Sequence, residues 1–160
     1  MNIFVLDNDP HIAASHHCDK HVVKMILESV QMLSTVRVRY GASAPYKPCH
    51  KHHPCTLWVG ASKDNYIWLV ELALALGQEF KKRYGKTHLS IIRLMEIIDP
   101  PRGIPDIGLT PFAQAMPEAY KRPGEAVEAY RTYYINDKAR FAVWTRGASV
   151  PDWWPVVSAA

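Results

Sequence analysis

The sequence predicts a mainly α-helical protein. It reads as a single-domain helical bundle over residues 1–160, with a short extended segment at the N-terminus and an irregular aromatic tail. Three observations carry this. Apolar residues recur at helical spacing in two long segments, roughly 17–39 and 62–84, each followed by a glycine. Prolines gather in stretches that interrupt the pattern, within 42–54 and 100–111. A chain of 160 residues with 48% hydrophobic content is long enough for one core without disulfide or metal staples.

Asn2 to Leu6 reads as a short buried strand or extended arm. Asp9-Pro10 is a helix start, with Asp9 capping and Pro10 at the first helical position, and a short helix runs to about Ser15. A long helix covers roughly 17–39, and 42–54 is loop. Pro54 to Gly60 is a helical turn. Ser62 or Asp64 caps the second long helix, which ends at Tyr84-Gly85 with Lys81, Lys82 and Arg83 against the helix dipole. A third helix spans Leu89 to Ile98. Thr110-Pro111 opens a short one, and Gly124 or Glu125 to Ile135 forms the last. The tail from Val150 to Pro155 is too aromatic to be left in water.

No run of 18 apolar residues is present, so no membrane association is expected. Met1 to Asp7 lacks the basic flank of a secretion signal, and three cysteines, Cys18, Cys49 and Cys55, cannot all pair. A reducing cytoplasm is the expected location. The net charge of +4 favours polyanionic partners. There is no GxGxxG, Walker or HExxH motif.

The first long helix carries the chemistry. His17, His21, Lys24, Glu28, Gln31 and Thr35 follow one another at spacings of 4, 3, 4, 3 and 4. On a helical wheel they fall within about 40° of one line. Apolar residues cover more than half of the remaining circumference, more than an ordinary surface helix needs. The stripe is either a solvated face, with Lys24 and Glu28 as a surface ion pair, or the wall of a groove. In a partly dry groove, a His, a Lys and a Glu are acid–base material. A second cluster, Cys49-His50-Lys51-His52-His53-Pro54-Cys55, is rich in ligand types but has no standard zinc spacing. His50, His52 and His53 are therefore read as lining a substrate surface, and neither metal nor cofactor is expected.

The segment Cys18-Asp19-Lys20-His21-Val22-Val23-Lys24-Met25-Ile26-Leu27-Glu28 resembles a family of small proteins encoded by phages and their bacterial hosts. His53 to Trp58, Arg83 to Lys86, Phe112 to Pro117 and Ala129 to Tyr134 carry the same resemblance. More distantly, the chain is similar to the phage pyrimidine-dimer DNA glycosylases, the endonuclease V family. Asp19-Lys20-His21 and Glu28 match that family's Asp-x-His pattern with a Glu seven residues after the His, and Glu79 to Gly85 resembles the end of its second long helix. The resemblance implies a small, helical, metal-independent DNA enzyme of the phage or host cytoplasm. Glu28 would assist attack of an amine on the sugar C1′, His21 would help nearby, and Arg83 or Lys86 would contact phosphate. In that family the nucleophile is the N-terminal amine, bared by removing Met before a small residue. Here Asn2 follows Met1, so the amine implied is that of Met1, with Lys20 and Lys24 as the alternative amines. The arginine-rich segment after the family's Glu is replaced by Ser29 to Met32.

The expected function is that of a base-excision glycosylase/lyase acting on damaged or modified bases in DNA. Glu28, His21, Lys24 and Met1 are catalytic in this reading. His17, Gln31, His50, His52, His53, Arg83 and Lys86 bind substrate. The alternative is a phage accessory protein that binds or cleaves a small or signalling nucleotide in the same His/Lys/Glu pocket. A third reading is a metal-dependent nuclease using the histidines.

Overall fold

The computed structural model describes residues 1–155; the predicted domain continues to 160, and residues 156–160 lie outside the described part. The protein is mainly α-helical, and among the described residues there is no strand. The helices are α1 (Pro10–His16), α2 (Asp19–Arg39), α3 (Pro54–Ala61), α4 (Lys63–Tyr84), α5 (Leu89–Leu94) and α6 (Ala126–Tyr133). A 3-10 turn (Glu118–Tyr120) precedes α6, and a π-helical turn (Tyr134–Lys138) continues it. No helix among the described residues is long and apolar enough to cross a membrane.

Local chemistry sets most helix ends. Asp9 Oδ1 accepts from His11 N–H at 2.8 Å and starts α1. Ser62 Oγ accepts from Asn65 N–H at 3.0 Å and starts α4. Gly85 closes α4 at φ +73, a left-handed position that a Cβ would penalise.

The long helices α2 and α4 pack on each other, α1 and α3 lie against α4, and α5 bridges α2 and α4. Val22, Ile26, Val30 and Leu33 of α2 meet Tyr66, Leu69, Ala73 and Leu76 of α4 in the core. The arm Ile3–Leu6 is buried without regular secondary structure, with Leu6 N–H donating to the Phe4 carbonyl at 2.9 Å, and Arg131 Nε donates to the Leu6 carbonyl at 2.9 Å. The tail packs as expected: Trp144 Nε1 donates to the His16 carbonyl at 2.9 Å and Trp153 Nε1 to His16 Nδ1 at 3.0 Å.

Four predicted elements differ. The first long helix begins at Asp19 rather than His17, because His17 and Cys18 are extended, ending α1 and opening α2. The last α-helix ends at Tyr133 rather than Ile135 and passes into the π-helical turn. α5 stops at Leu94 rather than Ile98: the next amides tighten to i−3 pairing, Glu96 N–H donating to the Arg93 carbonyl at 3.1 Å and Ile97 N–H to the Leu94 carbonyl at 2.9 Å, and the Ile97 carbonyl then accepts from Tyr66 Oη at 2.6 Å. α5 also presses its Ile91 onto α4 where Gly77 leaves room; a Cβ there would come 2.6 Å from Ile91 Cδ1. Thr110-Pro111 opens no helix. The backbone N–H of Thr110 donates to Asn65 Oδ1, and the Thr110 hydroxyl and carbonyl accept from Asn65 Nδ2 and Trp58 Nε1. With those groups committed to α3 and α4, the segment stays out of helix.

Candidate functional site

α2 is turned with its polar stripe inward. His21, Glu28 and Thr35 are buried, and so is His17, which was expected on this helix but stands as the extended C-cap of α1 before α2 begins; Val23 and Leu27, from the apolar side of α2, are exposed. The solvated-face reading therefore fails for the stripe as a whole. The stripe is then divided between two neighbourhoods.

The first forms around the start of the chain. The Met1 amine lies 3.1 Å from Glu28 Oε1, and the Asn2 backbone N–H donates to the same oxygen at 3.1 Å. The Glu28 side chain is only 9% exposed. Its other oxygen, Oε2, is buried without a hydrogen bond; the nearest cation is Lys24 Nζ at 3.7 Å, on a side chain 61% exposed. Met1 as a residue is half-buried, but its side chain is 3% exposed, so the part that reaches solvent is the backbone end carrying the amine. His53 joins this group. It caps α3 by accepting from Cys55 N–H at 3.1 Å, and it is half-buried. Burial, then the Met1 ammonium and His50, lower its pKa, while Glu28 raises it.

The arm is held there by contacts that the sequence does not announce. Asn2 Nδ2 donates to the Ala115 carbonyl at 2.9 Å, and Asn2 Oδ1 accepts from Tyr130 Oη at 2.9 Å and from the Cys55 thiol at 3.4 Å. Burial pushes Cys55 up to about 11, so the thiol remains a donor. Asn2, Tyr130 and Cys55 thus position the amine. The one hint in the sequence is a polar Asn opening an otherwise apolar Ile3–Leu6 run.

The second neighbourhood takes His17 and His21, which were expected beside Glu28. His21 stands seven residues before it, roughly 10 Å along the axis. Its ring stacks on Phe4, centroids 4.5 Å apart, and its Nδ1 is 2.7 Å from Tyr134 Oη. His17 Nδ1 is 2.6 Å from the Ala13 carbonyl, and its Nε2 is buried with no partner. His21 therefore clamps the arm through Phe4 rather than touching the carboxylate, and no face of His17 is open to a ligand.

Burial lowers His17 to about 4 and His21 to about 2, the latter helped by the charges of His17, Lys138, Lys24 and Lys20. Each ring, neutral when folded, takes up a proton on unfolding once the pH is below its ordinary 6.5. That stability is full above about 6.5 and is lost as the pH falls toward the folded values. From pH 7 to pH 5 the loss is about 2 kcal/mol per histidine. Urea unfolding at both pH values measures it. His17→Gln and His21→Gln should each flatten the slope, and a wild-type protein equally stable at both pH values would refute the assignment.

The remaining expected residues are dispersed. Gln31 is half-buried about one turn beyond Glu28. His50 is exposed at φ +47, and exposed His52 faces a separate cavity near the end of α2. Lys86 is exposed past the end of α4. Arg83 is not a phosphate contact. Its side chain is fully buried, paired with Asp19 Oδ1 at 3.1 Å and Glu79 Oε2 at 3.0 Å, and it donates to the carbonyls of His17 and Ser15. No group of three or more His, Cys, Asp or Glu among the described residues is placed to hold a metal ion.

No protein-family model, curated protein or solved structure matches the chain.

Proposed function

We propose that the protein is a DNA-acting glycosylase/lyase whose nucleophile is the Met1 amine and whose proton carrier is Glu28. One observation carries this reading: a chain-terminal amine 3.1 Å from a buried carboxylate whose second oxygen accepts no hydrogen bond and has only the exposed Lys24 ammonium at 3.7 Å. Buried polar atoms are nearly always satisfied, and the exceptions cluster where chemistry needs them.

In the proposed reaction a damaged or modified base is flipped out of the duplex so that its sugar reaches Met1. The amine nitrogen bonds to C1′ as the glycosidic bond breaks, and the electron pair leaves with the base. The amine's surplus proton passes to Glu28. Glu28 returns it to O4′ as the nitrogen lone pair forms the C=N bond and the C1′–O4′ bond opens, leaving a protonated imine between Met1 and C1′, whose charge balances the departing base anion until that base takes a proton from water. An α-amine is less basic than a lysine ammonium, so it is the better nucleophile near neutral pH. Lys24, mostly exposed at the rim, suits a phosphate contact. Lys20 and Lys138, which lie over the rings of Phe141 and Tyr133 at 4.7 and 4.8 Å, extend that basic surface. His21 acts as a positioning residue.

Borohydride reduction tests the imine. The full chain is incubated with a duplex oligonucleotide carrying an abasic site, reduced, and digested. The expected product is a covalent protein–DNA adduct mapping to the Met1 peptide. An adduct on Lys20 or Lys24 would assign the wrong amine, and no adduct would defeat the reading.

A further inference from the structure

We infer that the cavity at the C-terminal end of α2 is a binding site for a small organic anion with an apolar ring body. The cavity, about 390 Å³, lies between the last turns of α2, the loop before α3 and the first turn of α3. That volume is within the range of small-molecule sites. Its walls are apolar: Val36, Val38, Pro48 and Leu57. Val38 and Leu57 are 42% and 40% exposed, which is costly surface for a molecule with nothing to place against it.

Three features specify the ligand. The charged groups on the cavity are both cations, Arg39 and Lys51; no carboxylate lines it, and neither cation is in an ion pair among the described residues. His52 adds a further nitrogen at the rim. Thr56, also on the lining, is 2% exposed, and its Oγ1 has no hydrogen-bond partner. A buried hydroxyl left open in this way is costly unless something meets it. The neighbouring Thr35 hydroxyl is already engaged, accepting from Cys49 N–H at 3.0 Å and facing the Gln31 and Cys49 carbonyls. That bond pins the loop to α2, so the cavity is formed in advance.

The fitting ligand has a flat apolar body between Val36, Val38, Pro48 and Leu57. It offers one hydrogen-bonding atom to Thr56 and a phosphate or carboxylate to Arg39 and Lys51. The cavity is built from residues other than Met1 and Glu28, so this inference does not rest on the glycosylase reading.

The test is calorimetric titration of the full chain with adenosine 5′-monophosphate and with 1-naphthoate, the phosphate and carboxylate forms of that chemistry. Adenosine and inorganic phosphate serve as the two halves. At least one of the anions should saturate one site, at least tenfold tighter than adenosine or phosphate alone; which one does so identifies the anionic group. Arg39→Gln with Lys51→Gln should weaken it at least tenfold. Thr56→Val, which keeps the shape, should weaken it several-fold with no loss of melting temperature. Glu28→Gln should leave it unchanged. Saturation by neither anion, equal binding of adenosine, indifference to the Arg39/Lys51 or Thr56 variants, or loss in Glu28→Gln would each overturn the inference.

Discussion

Turnover of the Glu28→Gln protein on DNA carrying damaged or modified pyrimidines is expected to fall by about 10²–10⁴-fold, the usual contribution of a positioned acid–base group. Gln keeps the shape and can still accept from the Met1 and Asn2 nitrogens, but it cannot take a proton from the amine or return one to O4′. The fold should survive with a moderate loss of stability. The Met1 amine reaches solvent, and Lys24 is mostly exposed, so both cations are hydrated when the carboxylate is lost. A weakened hydrogen bond to a charged group costs about 1.5–3 kcal/mol, well short of unfolding a domain of ordinary stability. Strand nicking or base release measures the first quantity and thermal melting the second. Lys24→Met is the comparison: an exposed ion pair contributes only about 0.2–1 kcal/mol, so its melting temperature should stay put. Near wild-type turnover in Glu28→Gln would remove the carboxylate from the mechanism.

Much of this site was legible because its determinants are local. The stripe from His17 to Thr35 follows from spacing alone, and so does the excess of apolar positions that predicts a covered helix. Asp9-Pro10, Ser62 and Gly85 mark their helix ends because capping uses atoms within a few residues. Which element covers each part of the stripe is another matter. Phe4 on His21 and Tyr130 on Asn2 are contacts between segments far apart in the chain, and no periodicity encodes them. A wheel therefore finds Glu28 and His21 on one line, yet cannot say that the arm crosses the helix so as to give one the amine and the other a phenylalanine ring. Thr110 shows the same limit: Thr-Pro is a fair helix start until the side chains of Asn65 and Trp58 claim its polar groups.

Arg83 marks the boundary between the two kinds of information, and it carries the largest stability effect expected here. Its pairing with Glu79, four residues back on α4, is readable from sequence, as is the basic helix end that suggests phosphate binding. Its pairing with Asp19 is not, because Asp19 lies on another helix. There Asp19 also accepts from the Thr145 backbone N–H, at 3.2 Å to each oxygen, and from the Thr145 hydroxyl. The guanidinium thus joins α4 to the α1–α2 junction, and through Asp19 to the tail. Arg83→Met removes the cation but leaves Asp19, Glu79 and the Ser15 and His17 carbonyls facing a thioether. Stripping one partner from a buried pair costs about 3–5 kcal/mol. For a chain of this size that lowers the melting temperature by on the order of 10 °C. Arg83→Lys should recover only part of the loss, since an ammonium cannot reproduce the planar fork that serves two carboxylates and two carbonyls at once. A phosphate-binding arginine would behave in the opposite way: Arg83→Met would melt like wild type and bind DNA more weakly. Melting curves and DNA titrations on the same two variants separate these outcomes, and an unshifted melting temperature would refute the structural role assigned to Arg83.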